Sequence, residues 1–203
     1  MLNSISSSIY RAASIRNPTF SENSLTIPDG KVCNIDAVAD EVFIHGTAQK
    51  NVYAQKAINY EGGEVLGHMV AEETAHNFGD IKNDMASPYS ENRWRVKGNI
   101  YAKTAIISGE VRGDVDAQDV DIREANHRMG IKGSRVGGNI IVDNTNGKGK
   151  VRISDPYLEI GGKFIFKGKK GVVECPKNMA NSLQSKIENG TTKAINYNID
   201  KLI

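Results

Sequence analysis

Cysteine is scarce in this chain: Cys33 and Cys175 are the only two in 203 residues, and neither has a second cysteine near it. That excludes the paired-cysteine spacings of zinc sites and dithiol redox centres, and two reduced, buried thiols are expected. Long apolar runs are missing as well. No stretch approaches the roughly 18 consecutive apolar residues of a membrane-spanning helix. The formal net charge is only +2, too small to argue for nucleic acid, which needs a concentrated basic surface. Strong catalytic motifs are also lacking. The stretch Asn146-Gly147-Lys148-Gly149-Lys150 is not a phosphate loop, because the spacing and the Lys-Ser/Thr pair are absent. No enzyme activity, catalytic residue, cofactor or metal is therefore expected.

What is present is an internal repeat. Laid on itself with a shift of 15 residues, the segment 98–122 brings Gly98 onto Gly113, Asn99 onto Asp114, Ile100 onto Val115, Ala102 onto Ala117, Ala105 onto Val120 and Ile107 onto Ile122. A unit this short cannot fold alone and must bury its apolar face against neighbouring copies. The common core is a polar residue followed by a large aliphatic or aromatic one. Eight copies begin at Asn34, Asn51, His68, Asp80, Asn99, Asp114, Asn139 and Lys163, and six of them follow a glycine. The intervals are too short for helical repeats, and apolar residues often fall two apart, as in strands. The expected fold is all-β: a parallel β-solenoid of about eight short rungs, with Ile, Val, Ala and Phe inside, glycine at corners and charges outside.

Uneven intervals mark three expected loops, at residues 85–94, 124–130 and 143–150, the first holding Pro88 and the single tryptophan, Trp94. The solenoid is expected over residues 31–175. Beyond Pro176, residues 176–203 are expected to form a helix and tail, with Met179, Leu183 and Ile187 making an amphipathic face over the open end of the rod. Residues 1–25 are Ser-rich, with no acid before Glu22, and read as a disordered leader. Their make-up fits an organellar transit peptide, the leader of a type III secreted effector, a weak membrane contact through residues 1–20, or a tail with no address.

From Val96 through Gly98-Asn99-Ile100-Tyr101-Ala102 to Gly109-Glu110-Val111-Arg112-Gly113-Asp114-Val115-Asp116-Ala117, and on to Ile122, the chain resembles the bactofilins. Those bacterial cytoskeletal proteins repeat Gly-Asp/Asn-Ile-x-Ala and Gly-x-Val-x-Gly. The resemblance implies a small β-helix with disordered tails that stacks end to end without nucleotide in the bacterial cytoplasm. Three stretched intervals and a helix at the end depart from the even bactofilin pattern.

The residues expected at a self-association or partner surface are Phe164 and Phe166 on the last rung and Tyr89, Arg93 and Trp94 in the first loop. The Ser-rich leader supports an alternative, a secreted effector that binds a host protein with the same rod. A solenoid acyltransferase would draw on His45, His68, His76 or His127, but the aliphatic spacing does not follow its six-residue rule. Glu110, Asp114, Asp116, Asp119 and Asp121 suggest carboxylate chemistry, or else a solvated face. Residues 110–126 carry a net charge of −4 and residues 148–170 of +5, opposite patches that can guide a second copy or an acidic partner.

Overall fold

The computed structural model describes residues 23–124 and 133–195. The chain is a parallel β-solenoid of about ten turns. A full turn contains one bent strand of about eight residues and one strand of two. Ile100–Ile107 pairs with Met85–Asn92 on one side and Val115–Ile122 on the other, and Glu110–Val111 pairs with Arg95–Val96 and Arg135–Val136. The ladder skips one residue in each bent strand, since Ala102 faces Ala117 and the next pair is Thr104 with Asp119. Lys103 and Gln118 thus form a corner, and every turn has a first leg, a second leg and a short third face.

Alternation along each leg decides what goes inside. Ile100, Ala102, Ala105, Ile107 and Val111 point inward in one turn, and Val115, Ala117, Val120, Ile122 and Val136 lie directly over them. These columns form one continuous core from Ile27 to Leu183. Because each turn buries its apolar side chains against the turns above and below, truncating a central one such as Ile100 to alanine removes about 2–5 kcal/mol.

The polar residue that opens each copy of the repeat has a structural task. Asn99 Oδ1 accepts the backbone N–H of Asp114 at 2.8 Å, and Asp114 Oδ1 accepts that of Asn139 at 2.6 Å. The same bond links Asp36, Asn51, His68, Asp84 and Asn99 in succession, and the ladder ends where Asn139 accepts from Lys163. Asp36, Asn51 and Asp84 follow Ile35, Lys50 and Asn83, but where a glycine precedes the ladder residue the ladder leaves no room for a side chain. A Cβ on Gly113 would lie 2.3 Å from Asn99 Oδ1, and one on Gly138 would lie 2.2 Å from Asp114 Oδ1.

Three sequence expectations change, two of them by a shift of part of a turn. The first ladder residue is Asp36 rather than Asn34: Ala37 is inward, and Ile35 is 69% exposed. Asp80–Ile81 is a third-face strand, and the copy in that turn starts at Asp84. Residues 85–92 are not a loop but the full strand Met85–Asn92. Pro88 fits there because it stands at the skipped corner, opposite Lys103, where the ladder asks for no N–H. Residues 145–149 do form a turn, inserted between Ile140–Asn144 and Lys150–Ile153 at the same corner.

The coil continues past Cys175. The helix Ala180–Gln184 stands in the chain where earlier turns have their third-face strand, with Met179 and Leu183 buried against the core. Ile187 belongs to a further first-leg strand, Ile187–Glu188, and Gly190–Ile195 supplies the second leg. The helix therefore closes a side of the rod rather than its end. At the other end Ser24–Ile27 pairs with residues 41–44, so the coil begins inside the expected leader. The rest of that leader, most of the excursion at 124–130 and the final residues 196–203 lie outside the described residues. No described helix is long and apolar enough to cross a membrane.

Candidate binding surface

Phe164 and Phe166 are only 0% and 2% exposed. Phe164 is stacked between Ile140 and Ile187, so it is not on a terminal rung and its ring fills the interior. Tyr89, Arg93 and Trp94 share one outer region instead. Tyr89 points outward from the second leg, and Arg93 and Trp94 follow at the corner leading to the third face.

That corner carries a column. The backbone N–H groups of His45, Tyr60, Phe78 and Arg93 bond Ile27, Ile44, Asn59 and Asn77 in turn, so these four residues occupy equivalent places in successive turns. The rings of His45 and Tyr60 stack with centroids 4.2 Å apart and planes 6° from parallel. Arg93 places its guanidinium carbon 5.2 Å from the Phe78 ring centroid, a cation–π contact. Beside the column, Phe43, Ile58, His76, Glu91 and Ile106 line up in register on the outside of the second leg. The column was hidden in sequence because its members differ chemically, although Phe43/His45, Ile58/Tyr60, His76/Phe78 and Glu91/Arg93 repeat the same two-residue spacing.

Glu91 ties the region together. It is 6% exposed despite facing outward, its Oε1 accepts from Arg93 Nε at 2.7 Å, and its Oε2 lies 3.0 Å from His76 Nδ1. Burial raises its pKa, but the Arg93 bond and charge, followed by His76, outweigh burial and hold the carboxyl below its ordinary range. Tyr89 completes the cluster, its ring tilted 5.7 Å from that of His76. Trp94 lies next to Arg95, whose guanidinium carbon is 5.7 Å from its ring centroid. Half-buried aromatics around a fixed arginine make a surface suited to anchoring a protein partner.

The remaining candidates have structural positions. His45 is in the stack, His68 in the corner ladder and His76 against Glu91, while His127 lies outside the described residues. A groove of about 250 Å³ on the third face is lined by Glu110, Val111, Arg112, Arg135 and Gly137 and holds no histidine. Of the acids of residues 110–121, Asp114 serves the corner ladder and the other four face cations. Glu110 accepts from Arg112, Asp116 from Lys167 and Asp121 from Arg123, while Asp119 stands in register with Lys150 and Asp121 with Arg152. The acidic and basic blocks of the sequence thus stack on each other within one molecule. Among the described residues no three His, Cys, Asp or Glu side chains come together as metal ligands. Cys175 is buried in the core, which raises its thiol pKa, and Cys33 is partly exposed.

No protein-family model, curated protein or solved structure was found to match the chain.

Proposed function

We propose that this chain is a non-enzymatic structural protein that self-associates end to end in the bacterial cytoplasm, as its resemblance to bactofilins over residues 96–122 implies. The observation behind this reading is the state of its edges. Among the described residues, Ser24–Ile27 and Gly190–Ile195 each pair with a strand on one side alone. A parallel sheet edge of this kind is a template for the matching edge of another copy.

The upstream edge supplies the test. Asn23 and Ile27 direct their carbonyls toward Glu41 and His45, so alternation turns the Thr26 N–H the other way, off the rod. Thr26→Pro removes that donor without touching the bonds to residues 41–45. Sedimentation of the full chain is expected to show large assemblies for the wild type and for Thr26→Ala, and small species for Thr26→Pro. Equal assembly by all three, or by none, contradicts the proposal.

The column of His45, Tyr60, Phe78 and Arg93 favours a second reading, a secreted effector that binds a host protein. Fusion of residues 1–24 to a reporter tests the leader: export of the reporter supports this reading, and retention in the cell removes its basis.

A further inference from the structure

The corner between the first and second legs separates charge along the rod. At its upstream end lie Asp40, Glu41 and, at a bulge, Glu73, with Lys56 as the cation among these four described residues, a net of −2; Glu72 beside Glu73 is itself engaged. Lys56 lies 3.7 Å from Glu41 and 4.0 Å from Glu73. At its downstream end the turns carry inserted residues. Lys148, Lys150, Lys167, Lys169 and Lys170 gather there against Asp116, Asp119 and Asp143, a net of +2. All five lysines are exposed. Lys167 is engaged by Asp116, and Asp143 is turned into its own loop, where Thr145 donates to it from both N and Oγ1.

The lysine-bearing turns are held in shape. Buried Asn144 accepts from Gly149 N in the first turn and donates to the carbonyls of Lys169 and Lys170 in the second. Asn189, in a left-handed conformation with φ 58°, donates to Gly168 and Lys169 from the following turn. Lys169 lies across Gly147, where an added Cβ would stand 3.0 Å from its Cδ, so the second turn leans toward Lys148. Between the acidic and basic ends the corner holds Pro88 and Lys103.

We infer that two copies pair side by side and antiparallel along this corner. The lysine turns of each copy meet Asp40, Glu41 and Glu73 of the other about a two-fold axis near Pro88 and Lys103. Equal and opposite charge at the two ends of one edge is self-complementary under that symmetry alone: a parallel pair would set lysines against lysines. The pairing rests on the self-association proposed above and adds a lateral contact that closes as a dimer, whereas end stacking remains open.

The test uses the full chain carrying Thr26→Pro, which keeps end stacking out of the measurement. Sedimentation velocity at about 50 mM and about 500 mM salt, where screening lengths differ several-fold, is expected to show a dimer at low salt that dissociates at high salt. Lys169→Glu with Lys170→Glu, and separately Glu41→Lys with Glu73→Lys, are expected to weaken the dimer at least tenfold. Mixing the two variants restores it. Far-ultraviolet circular dichroism identifies any variant that fails to fold, and glutamine at positions 148, 150, 169 and 170 then serves in its place. A monomer at low salt, or folded variants that do not rescue each other, overturns the inference, as does a monomer whose lysine turns bind anionic vesicles or duplex DNA instead. Filaments of the wild type without lateral pairing refute this contact alone, and a salt-sensitive dimer without filaments refutes end stacking alone.

Discussion

The ring of Phe166 occupies the space that a side chain on Gly171 would need: a Cβ built there would lie 1.9 Å from the ring. Phe166 fills the inward position held by Ala117 and Val142 in the preceding turns, and the glycine after the corner makes room for it. Gly171→Ala is expected to destabilise the fold by about 2–3 kcal/mol through overpacking. Thermal unfolding checks this, and the paired variant Gly171→Ala/Phe166→Ala should recover part of the loss.

A second relationship runs along the core. Asn59, Asn77 and Asn92, all 0% exposed, form a ladder in which each Nδ2 of Asn59 and Asn77 donates 2.8 Å to the Oδ1 of the next. Ile44 and Ile107 hold the same column on either side, and Asn59 Oδ1, next to Ile44, has no partner. Asn77→Ala strands groups on both neighbours and is expected to cost about 2–4 kcal/mol. Replacing all three by isoleucine should cost less than the sum of the three single isoleucine changes, because no orphaned amide remains. Denaturant unfolding of the four variants decides it.

Glu91 gives the fold a pH dependence. A carboxylate held below its ordinary pKa stabilises the folded state above that ordinary value, and its contribution is lost as pH falls through the lowered one. Glu91→Gln is therefore expected to cost about 1–3 kcal/mol at neutral pH, with the gap from wild type closing under acid conditions. Unfolding midpoints across that range report the gap, and a constant gap refutes the assignment.

The two cysteines should differ in reactivity. Cys175 is fully buried and its thiol is held protonated by burial, whereas Cys33 is partly exposed near the upstream edge. A thiol reagent is expected to label Cys33 alone in the native protein and both after denaturation, as mass spectrometry would show.

The fold was legible wherever the repeat kept its chemistry. Gly98-Asn99-Ile100 and Gly113-Asp114-Val115 announce the glycine, the ladder residue and the first inward side chain of a turn. It was obscured where polar residues replaced the core. The turn at Met85 has Ser87, Ser90 and Asn92 inside, the serines bonded to each other at 2.9 Å, and with Pro88 in its middle that stretch looks like a loop. Asp80-Ile81 misled because third-face strands also set a polar residue before an aliphatic one. Tyr89, Arg93 and Trp94 were recognisable as anchors, but their partners His45, Tyr60 and Phe78 come from different turns, and only register places them together. Phe164 looked terminal because Ile187 reads as the end of a helix.

Negative-stain electron microscopy of the full-length wild type tests the proposed end-to-end assembly most directly. At about 4.8 Å per turn, the account predicts filaments with an axial repeat of roughly 45–50 Å that disappear in Thr26→Pro. Isolated rods of that length at every protein concentration would contradict it.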